Sequence, residues 1–365
     1  MKIECVQTKL ADALRKTERI AGKHASLPIL SSVLLEAKDG ILLVKSTNLE
    51  LGIEISLPVK VEKEGVVAIS AQSLASYVSS LRGKSITLES EDKTLLVASE
   101  KQHATFNTFD HSEFPTIPRI KGTSVHFSAE KLRAGIKSVV YSASVSSVKP
   151  ELSSVYISGT DDNNLVFVAT DSFRLAEKKL SEKEAHSVEP VLVPQKNVLE
   201  IERILEGVDG EVEMIFGDNQ IAIVDNSFYI TSRIVDGVFP DYAKIIPEGY
   251  STKVTVLKQD LIDAFKVSTI FSGKTNQVTF DIDPEKNLMI LETRSSEVGE
   301  NKAELDVTAE GEPLSVNFNY RYITDSFQAI PEESVELLFN GVSRPLVVRG
   351  VGSKDFTYIV MPMNK

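Results

Sequence analysis

The chain of 365 residues contains no tryptophan, one cysteine and five histidines. A single cysteine cannot form an intrachain disulfide or a cysteine-based zinc site, which fits a reducing compartment. The histidines are scattered, with no pair at metal-ligand spacing, so we expect no metal and no other cofactor. No run approaches the ~18 apolar residues of a membrane span, and the N-terminus turns polar at once. We therefore expect a soluble, cytoplasmic protein.

Signals of catalysis are also missing. Carboxylates are plentiful but spread over predicted strands and turns, without a recognisable acid–base pair. His103 and His111 lie in a polar stretch, where we expect them to be exposed. Cys5 alternates with Ile3 in the first predicted strand, which favours a buried side chain over a reactive thiol. The sequence therefore predicts a protein that is not an enzyme.

The formal charge of −12 argues against a tight nucleic-acid binder, because affinity for phosphate rests on lysine and arginine. Six segments of helical pattern nevertheless carry +5 together and leave −17 for the rest of the chain. In the first segment, Leu10 and Leu14 share one face, while Arg15 and Arg19 share another. Each stripe alone is typical of a solvated helix face. Six such helices on a common surface would make that surface mildly basic and suited to loose, sequence-independent phosphate contact.

A threefold internal repeat of about 122 residues organises the chain. Each third predicts a helix, a hairpin, a second helix and a second hairpin. The first helices are predicted at residues 10–14, 132–136 and 261–265, and the second helices at residues 74–81, 198–205 and 322–329. Hairpin turns are predicted at residues 39–40, 161–164 and 283–287, then at 91–92, 217–219 and 340–341, where Asp, Asn and Gly tolerate positive φ.

The repeat predicts three α+β domains of one fold, at residues 1–120, 121–249 and 250–365. Each domain would contain two helices and two strand-rich blocks, and proline-bearing linkers would follow the first two. A unit of this length is a whole domain rather than one turn of a solenoid.

The C-terminal segment 358–363 (YIVMPM) is unusually apolar for a chain end. Its first half is predicted as a strand, and Pro362 cannot continue the hydrogen-bonded ladder. Met361 and Met363 could form a partly exposed, adaptable apolar surface that accepts peptides. A tail packed into its own core is the alternative that composition leaves open.

Several segments of the chain, in their order, are similar to those of one known family. They are 27–30 (LPIL), 170–175 (TDSFRL), 235–242 (VDGVFPDY) and 358–363 (YIVMPM). With the three ~122-residue copies, they resemble the bacterial DNA polymerase III beta subunit, the sliding clamp, over essentially the whole chain. The resemblance implies a head-to-tail homodimer of six DNA-clamp domains in a closed ring, with helices inside and sheets outside. Such a ring encircles duplex DNA without sequence preference, is placed by a clamp loader, and tethers the replicative DNA polymerase and other proteins by short peptides.

The resemblance also implies a peptide-binding groove between the second and third domains. Apolar members would bury Leu and Phe anchors of the peptide, while Arg174 and Arg344 would hold its polar or acidic end. For Arg174, a structural salt bridge to a nearby Asp is the alternative. The groove residues implied on one side are Leu152, Thr170, Ser172, Phe173, Arg174, Leu175, Pro240, Lys244 and Ile245. Those implied on the other side are Tyr322, Val342, Arg344, Val360, Met361, Pro362 and Met363.

DNA contacts and a subunit interface follow from the same resemblance. His24 stands where some members have arginine, which implies a weaker contact at neutral pH. Ala104 is smaller than the aromatic residue of some members, which implies a less apolar interface. The DNA-contacting residues implied are Lys23, His24, Arg82, Lys149, Lys196 and Arg203. The interface residues implied are Ala104, Phe106, Ile270, Phe271, Glu297, Glu300 and Glu304, the glutamates pairing weakly with lysines.

Two other functions compete with the clamp. A monomeric peptide-binding adaptor would have the same domains and no ring, and it would be distinguished by its mass in solution. A hydrolase that uses scattered carboxylates has no motif in its favour.

Overall fold

The threefold sequence pattern becomes three successive sets of two helices and eight or nine strands. A computed structural model describes residues 1–22, 27–182, 185–273 and 275–363. In this part of the chain the first set is β1 (Lys2–Val6), α1 (Gln7–Ile20), β2 (Ser32–Lys38), β3 (Ile41–Thr47), β4 (Leu51–Pro58), β5 (Lys60–Lys63), β6 (Gly65–Ser70), α2 (Ala71–Ser80), β7 (Ser85–Glu91), β8 (Thr94–Ala98) and β9 (His103–Phe109). The second set is β10 (Thr123–Ser128), α3 (Ala129–Val139), β11 (Ser154–Gly159), β12 (Asn164–Thr170), β13 (Arg174–Ser181), β14 (Val191–Pro194), α4 (Gln195–Ile204), β15 (Glu211–Phe216), β16 (Gln220–Val224) and β17 (Phe228–Arg233). The third set is β18 (Thr252–Leu257), α5 (Lys258–Ser268), β19 (Gln277–Asp283), β20 (Leu288–Ser295), β21 (Gly299–Asp306), β22 (Thr308–Gly311), β23 (Leu314–Asn319), α6 (Tyr320–Ser326), β24 (Ser334–Phe339), β25 (Leu346–Gly350) and β26 (Phe356–Val360).

One folding unit contains Met1–Glu130 and Leu199–Ile234. Its sheet runs β10-β15-β16-β17-β4-β3-β2-β6-β9-β8-β7-β1-β5. Strand β4 of the first set pairs antiparallel with β17 of the second set, from Leu51 opposite Ser232 to Ile55 opposite Phe228. Strands from two different repeats therefore continue one sheet.

The other unit contains Lys131–Val198 and Val235–Lys365 and is built in the same way. One sheet runs β14-β11-β12-β13-β26-β25-β24-β18-β22, and a second runs β21-β20-β19-β23. Strand β13 of the second set pairs antiparallel with β26 of the third set, from Arg174 opposite Val360 to Lys178 opposite Phe356. The middle repeat thus gives one strand block to each unit.

Apolar spacing and capping account for the helices. The buried residues of α1 recur at three- and four-residue intervals, including Leu10, Leu14 and Ile20. Helix α2 begins where Ser70 accepts a hydrogen bond from the Ser73 amide, and α6 begins where Asn319 accepts one from the Arg321 amide. In every third, both helices and both hairpins lie where the repeat predicts them.

Aromatic side chains form much of the core of the second unit. The ring of Phe280 lies edge-to-face with Phe265 and Phe318, at centroid distances of 6.1 and 5.6 Å. The ring of Phe339 lies 6.1 Å from Phe318. These side chains come from α5 and from both sheets of the unit, so the core joins those elements.

The turn residues and the cysteine behave as predicted. Asp39, Asn163 and Asn287 adopt φ between 50° and 55° in their turns, a conformation that Asp and Asn tolerate. His103 and His111 are exposed. Cys5 is 6% exposed, and burial raises the pKa of its thiol to about 12. A thiol that stays protonated is a poor nucleophile, so Cys5 is a small core residue.

Candidate functional site

A tight turn between β12 and β13 forms the centre of the candidate groove. The Thr170 hydroxyl donates to the Arg174 carbonyl over 2.7 Å and accepts from the Ser172 amide over 3.1 Å. The Asp171 carboxylate accepts from the amides of Phe173 and Arg174 over 2.9 and 3.0 Å. Ser172 has a φ of 77°, in the left-handed region. The turn leaves the Phe173 side chain 60% exposed, which is unusual for a phenylalanine.

The C-terminal segment runs beside this turn. Strand β26 ends at Val360, as the sequence predicts from Pro362. Beyond it, the Met361 amide donates to the Phe173 carbonyl and the Met363 amide donates to the Asn317 carbonyl, each over 2.8 Å. Residues 361–363 are half-buried. The tail is therefore fixed by its backbone, while its side chains remain partly available as an apolar surface.

Buried and exposed apolar residues meet at this place. Leu175 belongs to a buried cluster with Val347 and Ile359, and Tyr242 packs against that cluster. Leu346 pairs with Val360 and follows the loop of residues 340–345, where Val342 is 60% exposed. On the loop after β17, Pro240 and Ile245 are exposed. Leu152 and Thr170 are buried. Buried apolar residues with exposed apolar residues on the adjoining loops are the composition expected of a peptide site.

Arg174 is held underneath the site by a network of partners. Its Nε donates to Asp171 Oδ2 over 3.0 Å, its Nη2 donates to the Tyr141 carbonyl over 2.6 Å, and its Nη1 donates to Asp325. The guanidinium carbon lies 4.8 Å from the centre of the Tyr322 ring, a cation–π distance. The structure shows the salt bridge that was one of the two expectations for Arg174, and the side chain is only 13% exposed. Its contact with a peptide stays a prediction.

The charge on Arg174 is permanent. Burial acts to lower its pKa, but Tyr358 and the carboxylates of Asp325 and Asp171 outweigh burial and hold the pKa above its ordinary value. Burial also raises the pKa of Tyr141 well above its ordinary value, so that phenol stays neutral. The network is therefore a fixed cation between two carboxylates and neutral rings.

The two other cations of the predicted groove lie at its surface. Lys244 forms an exposed ion pair with Asp241 over 2.7 Å. Arg344 is exposed, and it has no ion-pair partner in the part of the chain that the structure describes. Arg344 therefore offers the more available positive charge for an acidic group.

Sequence reasoning missed the residues that support Arg174. Asp171 carried a local signal, because an Asp that begins a turn commonly accepts from the amides that follow it. Asp325 lies 151 residues from Arg174, and Tyr141 lies 33 residues from it. Nothing in a single sequence connects residues so far apart, so only the fold could reveal those two.

The residues implied in DNA contact belong to both units. Lys23 and His24 lie outside the described residues. Arg82, Lys149 and Lys196 are exposed, and within the described ranges they form no ion pair. Arg203 is bound by Glu200, which also accepts from Arg19 over 2.9 Å. The positive charge of Arg203 is thus partly neutralised within the chain.

The residues implied in the subunit interface lie on a strand that is paired on one side over most of its length, on a strand at the edge of a sheet, and at a helix end. Strand β9 pairs with β8 along 103–107 but reaches β6 only at Thr108 and Phe109. Strand β21 ends its sheet. Phe106 and Ala104 are half-buried, and Ile270, next to the half-buried Phe271, is 62% exposed. The three glutamates on or next to β21, Glu297, Glu300 and Glu304, are exposed.

Family comparisons cover nearly the whole chain in three successive matches. The family model of the DNA polymerase III beta subunit, N-terminal domain, matches residues 1–118. The model of its central domain matches residues 126–241, and that of its C-terminal domain matches residues 243–364.

Individual relatives and solved structures agree with these matches. The beta sliding clamp of Synechococcus elongatus is 28% identical over 372 residues, which span 100% of this chain and 99% of that protein. The DNA polymerase III subunit beta of Pseudomonas aeruginosa, solved bound to griselimycin, superposes with a TM-score of 0.95 at 27% identity, with 100% of both chains covered. The sliding clamp of Bacillus subtilis has the same fold, with a TM-score of 0.95 at 22% identity and 100% and 99% of the two chains covered.

Proposed function

The chain belongs to the DNA polymerase III beta subunit family, and from that membership we propose how its residues carry out the work of a sliding clamp. The protein is a DNA sliding clamp, a processivity factor that encircles duplex DNA as a homodimeric ring and tethers the replicative polymerase. The observation that carries this conclusion is the match of all three domain models, in order, along one chain. A monomeric adaptor without a ring is not favoured.

Enclosure explains how an acidic protein can serve DNA. A closed ring stays on the duplex by topology, so its phosphate contacts need only be weak and independent of sequence. The tethered polymerase then has a high effective concentration at the primer end. This mode of action contains no covalent step, and we propose that the protein is not an enzyme.

The groove receives the peptides of polymerases and of other clamp-binding proteins, including the clamp loader. Phe173, Val342 and Ile245 are exposed apolar side chains that a peptide anchor would cover, and Leu175 and Val360 are buried on the neighbouring strands. Arg344 binds the acidic or polar end of the peptide. Arg174 acts indirectly, because its bonds to Asp171 and Asp325 position the turn that presents Phe173.

The partly unpaired side of β9 and the edge strand β21 close the ring. We place β9 of one subunit beside β21 of its neighbour, head to tail, since each offers unpaired backbone groups. Ala104 and Phe106 then meet Ile270 and Phe271. The three exposed glutamates on or next to β21 contribute ion pairs of little strength.

Exposed cations on helices and loops contact the duplex. Arg82, Lys149 and Lys196 are available for phosphates, and Arg203 must share its charge with Glu200. We assign Lys23 and His24 to the same role. The contacts are sparse, as a sliding ring requires.

The groove is tested by Met361→Glu. A carboxylate among apolar contacts should weaken binding of a labelled peptide with Leu and Phe anchors at least ~10-fold, which corresponds to ~1.4 kcal/mol. Fluorescence anisotropy measures the affinity, and light scattering confirms an unchanged dimer. Val351→Glu is the matched control, because Val351 is a partly exposed apolar residue in the β25–β26 turn. Equal affinities of wild type and Met361→Glu would contradict the placement of the groove.

The ring is tested by mass and by topology. A dimer of the 40.1 kDa chain has a mass of about 80 kDa. Clamp loaded on circular DNA should remain bound, and linearising the circle should release it. Phe106→Asp should reduce both the dimer fraction and retention. A strict 40 kDa species at micromolar concentration, or retention on the linearised DNA, would refute the ring.

A further inference from the structure

The first two repeats form the same turn at the junction of their shared sheets. In the first repeat, the Thr47 hydroxyl donates to the Leu51 carbonyl over 3.0 Å and accepts from the Leu49 amide over 3.1 Å. The Asn48 side chain accepts from the amides of Glu50 and Leu51 over 3.0 and 2.8 Å. Leu49 has a φ of 75°, against 77° for the corresponding Ser172. Each of these bonds has its counterpart 123 residues later, in the turn that forms the groove.

The neighbouring strand is attached in the same way at both junctions. The Arg233 amide donates to the Glu50 carbonyl over 2.8 Å, as the Met361 amide donates to the Phe173 carbonyl. Arg233 therefore occupies, beside the first turn, the position that Met361 occupies beside the second.

A cavity of about 250 Å³ lies at this first junction. Its lining includes Leu49, Leu51, Ile117, Thr47, Thr231 and Arg233. One wall is fixed, because the Tyr229 hydroxyl donates to the Pro118 carbonyl over 2.9 Å and accepts from the Ile120 amide over 2.8 Å. The cavity is thus formed before any ligand arrives, which lowers the cost of binding.

The third repeat shows that the turn does not follow automatically from the fold. Thr293 lies 123 residues after Thr170, but β20 continues past it to Ser295. Its buried hydroxyl has no hydrogen-bond partner among the described residues. The cavity and the groove are therefore features of the first two junctions.

The first junction differs from the second at two equivalent positions, and these differences indicate which ligand the cavity would accept. Gly52 stands where the groove has Leu175, and Ile117 lies so close that an added Cβ would meet its Cγ2 at 3.2 Å. Arg233 stands where the groove has Met361, is exposed, and has no ion-pair partner within the described ranges. Glu50 also lines the cavity, and Arg233 is the one cation among the described residues of the lining, so an acidic group would have to pair with Arg233. The volume is below the ~300–1,000 Å³ of small-molecule sites, which suits a single apolar side chain.

We propose that this cavity, which we call the first-junction pocket, is a second peptide-binding site that takes one apolar side chain followed by an acidic residue. The inference rests on the proposed function, because it extends peptide binding from the groove to its counterpart in the first unit. Ile117 and Leu51 receive the apolar side chain, and Arg233 pairs with the carboxylate.

The test uses methyl NMR of the full-length dimer with a Leu-Phe-Asp-Asp peptide and its neutral counterpart Leu-Phe-Asn-Asn. The acidic peptide should shift the Ile117 and Leu49 methyls at the first-junction pocket and the Ile245 and Leu175 methyls at the groove. Binding of the neutral peptide at the pocket should be about tenfold weaker, since a charge-assisted hydrogen bond is lost.

Arg233→Glu should abolish the Ile117 shift and leave the Ile245 shift unchanged. Lys38→Glu, the same charge reversal at an exposed lysine outside the pocket, should change neither. If Arg233→Glu does not form the dimer, Thr116→Trp, which blocks the mouth of the pocket, takes its place. The proposal would be overturned if the Ile117 methyl signals did not shift at peptide concentrations that saturate the groove. It would also be overturned if duplex DNA, and not the peptide, caused the shift. Unshifted Ile245 and Leu175 methyls in the wild type would instead refute the groove.

Discussion

Arg174 shows how one cation, whose side chain is only 13% exposed, can shape a surface to which it contributes little itself. Its guanidinium joins the β12–β13 turn through Asp171, helix α6 through Asp325 and the chain after α3 through the Tyr141 carbonyl. Lysine could not replace it, because an ammonium cannot reach three acceptors in one plane. The exposed Phe173 follows from this arrangement, since the turn that carries it is fixed from below.

Replacing Arg174 by alanine should cost stability as well as peptide affinity. We expect a loss of roughly 2 kcal/mol in the free energy of unfolding, less than the ~3–5 kcal/mol of a fully buried pair, because Asp325 is partly exposed. Peptide affinity should fall too, since the turn loosens. Urea denaturation and anisotropy measure the two effects.

Arg344→Ala is the matched comparison for that experiment. Its side chain is exposed and without an ion-pair partner in the described residues, so stability should change by less than ~0.5 kcal/mol. Affinity for an acidic peptide should nevertheless decrease. If the two variants were equally stable, Arg174 would not have the supporting role.

Among the elements, those with local signals could be predicted from the sequence, and the pairings between repeats could not. The hairpins before Ile41 and Leu288 follow from Asp and Asn turns, and α1 follows from its apolar spacing. The pairing of β4 with β17 and of β13 with β26 depends on which sheet edges remain free after local folding. A strand sequence does not specify a distant partner, because its alternation is satisfied by any apolar neighbour.

The same limit applies to the candidate site. Met361 and Phe173 could be identified from family resemblance. Pro362 alone was enough to predict that the tail leaves the hydrogen-bonded ladder of the strand. The fixed cation, its distant partner Asp325 and the first-junction pocket required the fold, since each depends on contacts across more than 60 residues.

Three neighbouring strands of the second unit share a carboxylate that makes their stability depend on pH. Glu336 on β24 is buried and accepts from Arg349 Nε over 2.7 Å, and Lys253 Nζ lies 3.0 Å from it. Burial acts to raise the pKa of Glu336, but the hydrogen bonds from Lys253 and Arg349 outweigh burial and lower the pKa below its ordinary 4.5. A lowered pKa in the folded state means that these bonds stabilise fully above the ordinary value. They are lost as the pH falls through the lower, folded-state pKa.

Glu336→Gln should therefore flatten the acid side of the stability profile. The wild type should lose unfolding free energy faster than the variant as the pH falls from the ordinary pKa of 4.5 through the lower pKa of the folded state. Near neutral pH the variant should be less stable by about 1–2 kcal/mol. Glu310→Gln, at an exposed partner of the same lysine, should leave the profile unchanged. Parallel profiles for wild type and Glu336→Gln would contradict the assignment.

At the scale of the whole molecule, a ring that encloses the duplex explains how a protein of negative net charge can have DNA as its partner. A chain of formal charge −12 discourages DNA from binding to it nonspecifically, while a few exposed cations suffice for a ring that cannot dissociate sideways. Low affinity for phosphate is then an advantage, because tight contacts would slow sliding.

Reversing the charge of two of these residues should distinguish binding by phosphate contact from retention by the closed ring. Arg82→Glu with Lys196→Glu should weaken binding to a short duplex equally for all sequences and reduce the slope of log affinity against log salt by about 1 per lost contact. Retention on closed circular DNA should persist. Lys38→Glu with Lys354→Glu, at two other exposed lysines, is the control, because it changes the net charge by the same amount. An equal loss with the control would show that the effect is one of net charge alone.

The pairing of β4 with β17 also sets an order of events during synthesis. The chain between the end of β4 at Pro58 and the end of β17 at Arg233 is about 175 residues long. At ~5–20 residues per second, the ribosome needs roughly 10 to 35 s to make it. During that interval the nascent chain presents the apolar edge of Leu51–Pro58 without its neighbour, a surface prone to aggregation. The first unit can be completed only after much of the middle repeat has left the ribosome.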